Sequence, residues 1–447
     1  MKQIKHILGL AGLIIATPAF AGSVKVDAQS GHATLLAGEK GTTFIKVGLT
    51  GKKWERPQTD RAPVNVALVL DKSGSMSGDK LRQAKAAARQ AIERLTSNDI
   101  VSVIVYDTTV KVVVPATKAS DKSAILRQID AIQTGGSTAL FGGVAKGAEE
   151  IRKFVDRERV NRIILLSDGL ANVGPKSPAA LGDLGKSLAK EDISVSTIGL
   201  GDGYNEDLMY ELANKSDGSH HFAESPQELA GIFDREFGDV LSVVAQKIRI
   251  RIQCAEGVRP VRILGREGDI AGQEVFVPLT QIYSEDEQYV ILEVEIAPGL
   301  AGDRRGLADV SVTYFDLENQ EEALTKEALT IAFTDSEAEI RELVNAEVMA
   351  AGVSQIATLN NRFAMKLRDQ GKIDEAKVVL TDNSIFCVTA GNLWGDQGLI
   401  DYGEQNEADA ENLEGAAWTI RRKAMVEQQI YNVKGGLQKT GTIRKSE

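Results

Sequence analysis

The sequence is poor in the residues that build disulfide scaffolds and transition-metal sites. Its 447 residues include two cysteines, Cys254 and Cys387, and four histidines. A disulfide-dense scaffold and a Cys-ligated zinc site are therefore excluded. The 52 Lys and Arg residues are outnumbered by 63 Asp and Glu, which gives a formal charge of −11. This balance argues against nucleic acid and anionic lipid surfaces as main partners, because both bind clustered basic side chains.

Long apolar runs are also absent, except for a short one at the start of the chain. Residues 1–21 combine Lys2 and Lys5, an uncharged run from Ile7 to Ala16, and the sequence Ala-Phe-Ala at residues 19–21. This pattern predicts a secretory signal peptide. A membrane anchor is the alternative, but the apolar run is about half the roughly 20 residues that a membrane-spanning helix needs. We therefore expect an exported protein, located in the periplasm or cell envelope or secreted. In an oxidising compartment, both a Cys254–Cys387 disulfide and two buried thiols remain open.

Four apolar runs after residue 62 alternate with amphipathic helical patterns. The runs are residues 64–70, 100–106, 163–166 and 193–198, and residues 81–95 and 125–132 have helical spacing. Strands this apolar are covered on both faces, and their alternation with helices predicts a doubly wound, mostly parallel α/β domain. Residues 110–114 are predicted to form an antiparallel or edge strand of its sheet.

The chain changes character after about residue 241. Residues 247–253 alternate strictly between polar and apolar side chains, as do later runs, which predicts a flanking antiparallel β domain. Helical patterns follow from a capping-box sequence, Ser336 to Glu339. The predicted segments are a signal peptide (1–21), N-terminal β segments that belong to the flanking β domain (22–61), an α/β domain (62–240), a β-sandwich-like domain (241–334), a helical region (335–433) and a flexible tail (434–447).

Oxygen-bearing side chains lie at the ends of the predicted parallel strands. Asp71, Ser73 and Ser75 follow the first strand, Thr138 precedes a helix, and Asp168 follows the strand at 163–166. Loops at the carboxyl edge of such a sheet lie together, so these five side chains should cluster. We expect no Lys or Arg near them apart from Lys72, whose long side chain can point away. Hydroxyl and carboxylate oxygens without His or Cys favour a hard cation, Mg²⁺ or else Mn²⁺ or Ca²⁺. At most five positions of an octahedron are filled, which leaves one for an outside ligand.

The motif Asp71-x-Ser73-x-Ser75, together with Thr138 and Asp168, resembles the metal-ion-dependent adhesion site of von Willebrand factor type A domains. The resemblance covers the segment from Ala62 to about Val240. It implies a metal ion that bridges the domain to an acidic residue of a protein partner. The β segments on both sides resemble inter-alpha-trypsin inhibitor heavy chains and related exported bacterial proteins. That likeness implies an α/β domain inserted into, or docked on, a β-sandwich built from both flanks.

Three functions remain open at this stage. The first is a non-enzymatic, divalent-cation-dependent binding or adhesion protein of the cell envelope. The second is a structural scaffold for envelope assembly that acts through its C-terminal helices. The third, a hydrolase with Ser73 or Ser75 as nucleophile, needs a general base. We predict no enzyme, because His32, His220 and His221 lie outside any nucleophile context. The expected partner is a protein that presents a carboxylate, but its identity and the oligomeric state are not predicted.

Overall fold

The computed structural model describes residues 22–54 and 61–435, so the predicted signal peptide and residues 436–447 of the predicted tail lie outside the described residues. It contains three β-sheets and a group of helices that ends the described chain. The strands are β1 Val24–Ser30, β2 Thr34–Leu36, β3 Gly41–Gly51, β4 Val64–Asp71, β5 Ile100–Tyr106, β6 Val110–Lys118, β7 Val160–Ser167, β8 Ile193–Leu200, β9 His220–Ala223, β10 Val243–Cys254, β11 Val258–Leu264, β12 Asp269–Ala271, β13 Glu274–Tyr283, β14 Glu287–Ile296, β15 Arg304–Asp316 and β16 Glu321–Thr334. The helices are α1 Asp79–Arg94, α2 Lys122–Asp130, α3 Leu140–Arg152, α4 Pro178–Ala189, α5 Glu206–Lys215, α6 Leu229–Leu241, α7 Glu337–Glu342, α8 Ala346–Asp369, α9 Ile373–Trp394, α10 Gln397–Glu411 and α11 Gly415–Gly435.

The central α/β unit is a six-stranded sheet in the order β6-β5-β4-β7-β8-β9. Strands β5, β4, β7, β8 and β9 are parallel, and β6 pairs with β5 in the antiparallel direction. Every residue of β4, β5, β7 and β8 is buried, because helices cover both faces. The predicted doubly wound fold with an antiparallel edge strand is confirmed.

Two antiparallel sheets form a sandwich beside this unit. One has the order β1-β3-β14-β11, and the other has β12-β13-β10-β15-β16-β2, in which β2 pairs parallel to β16. Apolar side chains from both sheets share one core. Strands that precede the α/β unit therefore pair directly with strands that follow it, and the chain leaves the sandwich after Gly51 and returns at Val243.

Helices α7 to α11 form the predicted C-terminal helical region. Side chains of α8, α9, α10 and α11 pack with Tyr210 and Ala213 of α5, so this region rests on the α/β unit. Helix α11 continues to Gly435, and Lys434 is hydrogen-bonded to the carbonyl of Asp217 rather than belonging to a loose tail. No helix within the described residues is long and apolar enough to cross a membrane.

The two cysteines are buried in different places and are not bonded to each other. Cys254 belongs to the sandwich core, and Cys387 packs with Ala357 and Tyr402 in the helical region. Burial raises the pKa of Cys254 to about 11 and that of Cys387 to about 12. Both therefore remain protonated thiols at neutral pH, and the disulfide left open by the sequence does not form in this fold.

A buried charge cluster joins the α/β unit to the sandwich. We call Arg162, Glu236, Gln281 and Tyr283 the junction cluster. Arg162, at the start of β7, is fully buried; its guanidinium lies 2.9 Å from the Glu236 carboxylate of α6. It also donates to Gln281 Oε1 at 2.5 Å and Tyr283 Oη at 2.7 Å, both in β13 of the sandwich. Burial alone would raise the pKa of Glu236, but Arg162 and His221 lower it to about 2.

Glu236→Gln is expected to lower the free energy of unfolding by about 3–5 kcal/mol. The substitution removes the counter-charge of a fully buried guanidinium, and an unpaired buried charge is far costlier than a lost surface contact. Asp234→Asn on the same helix is the matched control, because the Asp234 side chain is 74% exposed in its pair with Arg94; we expect a change within about 0.5 kcal/mol. Urea unfolding of the two variants measures both values. Equal stabilities would mean that the junction cluster does not hold the two units together.

Candidate functional site

The candidate site lies at the carboxyl edge of the parallel sheet, where three loops meet. Strand β4 ends at Asp71, and the chain then forms a 3-10 turn, Gly74–Met76, before α1. Strand β7 ends one residue before Asp168. The loop before α3 is hydrogen-bonded to the β4 loop through Gly74 N to Gly136 O at 3.1 Å and Gly135 N to the Lys72 carbonyl at 2.8 Å. These backbone bonds fix the loops that carry the predicted side chains.

The oxygens of three predicted residues are in direct contact. Ser73 Oγ lies 3.0 Å from Ser75 Oγ, and Ser75 Oγ donates to Asp168 Oδ1 at 2.7 Å. Asp71 joins them through its Oδ1, which accepts from the Ser73 backbone N–H at 2.8 Å. Its Oδ2 accepts from Ser167 Oγ at 2.7 Å. Ser167 is thus a positioning residue that the sequence analysis did not assign, although it lies beside Asp168 at a strand end.

Thr138 completes the group from the third loop. A Cβ built on Gly169 would lie 3.3 Å from Thr138 Oγ1, 3.3 Å from Ser75 Oγ and 4.0 Å from Ser73 Oγ. The three hydroxyls therefore surround one small volume, which a glycine at position 169 leaves free. The Thr138 backbone N–H donates to Asn172 Oδ1 at 2.8 Å, which fixes this residue to the Asp168 loop.

The five candidate residues are buried except for Ser75. Asp71, Ser73 and Asp168 are at most 2% exposed, whereas Ser75 is exposed. Burial raises the pKa of Asp71, and the negative charge of Asp168 adds to that effect, against hydrogen bonds from Ser73 and Ser167. Two carboxylates this close favour a proton or a cation between them.

Two lysines near the site behave differently. As expected from the sequence, Lys72 points away, because its ammonium pairs with Asp107. The prediction that no other basic side chain would be near was wrong, since Lys80 Nζ of α1 lies 2.6 Å from Asp168 Oδ2. Lys80 stands in the first turn of the helix that follows the motif, so its stem reaches back over the sheet edge. The place of Lys80 in the first helical turn after the motif is the feature of the sequence that could have predicted this contact.

The donor set suits a hard divalent ion. Oxygens around an octahedral Mg²⁺ at about 2.1 Å are about 3.0 Å apart along each edge, and the Ser73–Ser75 and Ser75–Asp168 contacts of 3.0 and 2.7 Å match this spacing. Across the described part of the chain, no group of three or more His, Cys, Asp or Glu is placed to hold a metal. This candidate differs from such groups because three of its five donors are hydroxyls.

Lys80→Met should increase the affinity for Mg²⁺ by about threefold to tenfold, which corresponds to roughly 0.7–1.4 kcal/mol. The ammonium competes with a divalent ion for Asp168, and methionine keeps most of the apolar stem without its charge. Isothermal titration calorimetry with Mg²⁺ measures the change, and Lys85→Met, whose ammonium instead binds the carbonyl of Asp130, is the control. A weaker affinity in Lys80→Met would mean that the lysine positions Asp168 for the ion.

Comparison with known proteins identifies this part of the chain. Residues 65–235 match the von Willebrand factor type A domain. An uncharacterised protein of Synechocystis is 29% identical over 57% of this chain and 62% of its own length. An inter-alpha-trypsin inhibitor heavy chain of Homo sapiens is 25% identical over 41% of this chain and 22% of its own length. The chain thus spans less than two thirds of the length of these curated relatives.

Two solved structures share nearly the whole fold. A von Willebrand factor type A protein from Catenulispora acidiphila has a TM-score of 0.72 and 15% identity, and covers 94% of this chain and 99% of its own. An ArnB paralogue from Sulfolobus acidocaldarius has a TM-score of 0.66 and 18% identity, and covers 92% and 98%. Domains of this type mediate protein–protein contacts and commonly bind a divalent metal. The α/β unit of this chain is a von Willebrand factor type A domain, carried on a β-sandwich with a C-terminal helical region.

Proposed function

We propose that this protein is an exported binding protein that uses a divalent cation in its type A domain to capture an acidic residue of a protein partner. One observation carries the proposal: hydroxyl and carboxylate oxygens from three separate loops converge at the sheet edge, where Ser73, Ser75 and Asp168 are in contact. Export is part of the proposal and derives from the sequence of residues 1–21.

The five residues divide into two groups. The hydroxyls of Ser73, Ser75 and Thr138 would bind the ion directly, and Asp71 and Asp168 would bind it directly or through water. Mg²⁺ is the preferred ion for this set, with Mn²⁺ or Ca²⁺ as alternatives. A bound divalent ion supplies a Lewis-acidic centre that attracts a carboxylate. The chain itself holds Asp71 in place through Ser167 and the Ser73 N–H, and Ser75 donates to Asp168.

The surface around the site favours a protein partner over a small anion. Leu170, next to Gly169, has 61% of its surface exposed, and exposed Ser75 lies on the same rim. An acidic side chain that reaches the site would bring its own backbone against Leu170. We therefore infer a partner with an acidic residue beside an apolar contact.

Binding is proposed instead of catalysis because the histidines are engaged elsewhere. His220 Nδ1 lies 2.8 Å from Thr197 Oγ1, and His221 contacts Glu236. His32 contacts Thr43 in the sandwich. These contacts leave Ser73 and Ser75 without a histidine base among the described residues, as nucleophilic catalysis would need.

Asp71→Ala is expected to abolish saturable Mg²⁺ binding and the capture of the partner, while the fold is retained. The variant removes the only carboxylate that β4 contributes to the site. The measurement is calorimetric Mg²⁺ titration, followed by capture of envelope proteins with and without EDTA. Asp202→Ala is the control, because Asp202 is exposed in the β8–α5 loop at the same sheet edge.

The two variants separate this proposal from a structural role. Capture that is lost in EDTA and in Asp71→Ala, but retained in Asp202→Ala, supports metal-dependent binding. Capture that is unchanged in Asp71→Ala, or insensitive to EDTA, contradicts it.

A second candidate function is assembly through the C-terminal helices, and α9 provides the observation that favours it. Val378, Ile385 and Leu393 are 59–71% exposed, and Phe386 is 37% exposed. Their spacing places them on one side of the helix. An apolar surface of this kind is typical of a protein contact.

Ile385→Asp tests this candidate. If assembly depends on α9, the substitution should reduce association by at least tenfold and leave Mg²⁺ binding unchanged, because a carboxylate in an apolar contact is left without a partner. Lys377→Asp introduces the same side chain next to the exposed apolar residues of α9 and should have little effect. Association measured by sedimentation velocity that is equal in both variants would remove this candidate.

A further inference from the structure

We propose that export processing creates a binding element inside this protein: cleavage between Ala21 and Gly22 releases an α-ammonium group that binds the buried carboxylate of Asp316. This inference goes beyond metal-dependent capture and rests on the predicted signal peptide. It concerns the sandwich, at the point where its first strand begins.

Asp316, at the end of β15, is a buried carboxylate that accepts hydrogen bonds from uncharged groups. It is fully buried. Its Oδ1 accepts from the backbone N–H groups of Glu318 and Asn319 at 2.8 and 3.0 Å. Its Oδ2 accepts from Ser23 N at 2.7 Å and from the Asn319 amide at 3.3 Å. Within residues 22–54 and 61–435, the hydrogen bonds to this carboxylate come from backbone N–H groups and an amide, which are uncharged. A cation at this position would offset part of the cost of burying the charge.

Gly22 lies directly against this carboxylate. A Cβ built on Gly22 would be 2.9 Å from Asp316 Oδ2 and 2.3 Å from the Tyr314 hydroxyl oxygen. The backbone nitrogen is about 2.5 Å from a residue's own Cβ, so it lies within about 5.4 Å of Oδ2. Gly22 also has a φ of +90°, which other residues rarely adopt. Both constraints require glycine at the position that follows the Ala-Phe-Ala sequence.

Hydrolysis changes the charge of this nitrogen. In the precursor it belongs to the Ala21–Gly22 amide and is neutral. A signal peptidase adds one water across that bond, so that Ala21 keeps the carboxylate and the amine of Gly22 takes up a proton. The product is a cation in reach of Asp316, and it appears only after cleavage at this bond.

The neighbouring contacts give this ion pair a structural role. Ser23 Oγ donates to the carbonyl of Val244 at 3.1 Å, and the carbonyl of Ser23 accepts from Lys52 N at 2.8 Å. Val244 and Lys52 lie at the two crossings between the sandwich and the type A domain. The mature amino terminus would therefore stabilise the sandwich next to both positions where the chain passes between the sandwich and the type A domain.

The test compares two chains that differ by one residue. Residues 22–447 and 21–447 are each released from a cleavable fusion, so that one begins at Gly22 and the other at Ala21. The extra residue converts the nitrogen of Gly22 back to an amide. We expect the chain that begins at Gly22 to melt about 2–4 °C higher. The difference should vanish when both chains carry Asp316→Asn.

Three results would overturn the proposal. The first is equal melting temperatures for the two starts with Asp316 present, and the second is a difference that persists in Asp316→Asn. The third is an exported protein whose amino terminus, determined by mass spectrometry, is not Gly22. If Asp316→Asn does not fold, the reaction of the Gly22 amine with an amine reagent replaces it. The proposal requires labelling at least tenfold slower in the folded chain than in urea, and equal rates would overturn it.

Discussion

The relation between the two largest parts of this protein depends on the charge of Arg162. A guanidinium at the amino end of β7 points away from the candidate site, into the contact with the sandwich, and is fully buried there. It is held by Glu236 from its own domain and by Gln281 and Tyr283 from the sandwich. An ion without water needs all of these partners at once. The type A domain can therefore take few orientations on the sandwich, which fixes the direction in which the edge with the candidate site faces.

The carboxyl edge is organised by a different constraint, the repulsion of two buried carboxylates. Asp71 is separated from Asp168 by serine hydroxyls, and each carboxylate has its own donors from the protein. Lys80 supplies a positive charge from the surface side. The charge of these carboxylates is thus offset by groups of the protein itself, one of which is a charge on a long, flexible side chain. Under the proposed function, a divalent ion would take the place of this lysine at Asp168.

Much of the fold could be predicted from the sequence because the signals are local. The runs at 64–70 and 100–106 are apolar throughout, and the strand edges carry their polar residues at the carboxyl end. The clustering of the five candidate residues could be predicted for the same reason, since the topology of a parallel sheet brings its loops together. The partners of long side chains cannot be predicted in this way. Lys80 and Arg162 reach partners far from their own backbone, and Arg162 meets Gln281 more than a hundred positions away. The exposed side of α9 also depends on which neighbours cover that helix.

The insertion of the type A domain between Gly51 and Val243 has a consequence for the order of folding. Strand β3 pairs with β14, where Ile45 faces Leu292, so this pairing closes a loop of about 250 residues, and contacts at such separation form slowly. One hydrophobic core of the inserted domain, and all the strand pairings of its sheet, lie within the domain itself. The inserted domain can therefore form before the first strands of the sandwich pair with the strands that follow the domain. In a chain synthesised from its amino terminus, β1 and β3 can pair with each other early, whereas β3 meets β14 and β2 meets β16 only much later. The exposed edges of β2 and β3 are therefore the part most in need of protection until β14 and β16 follow.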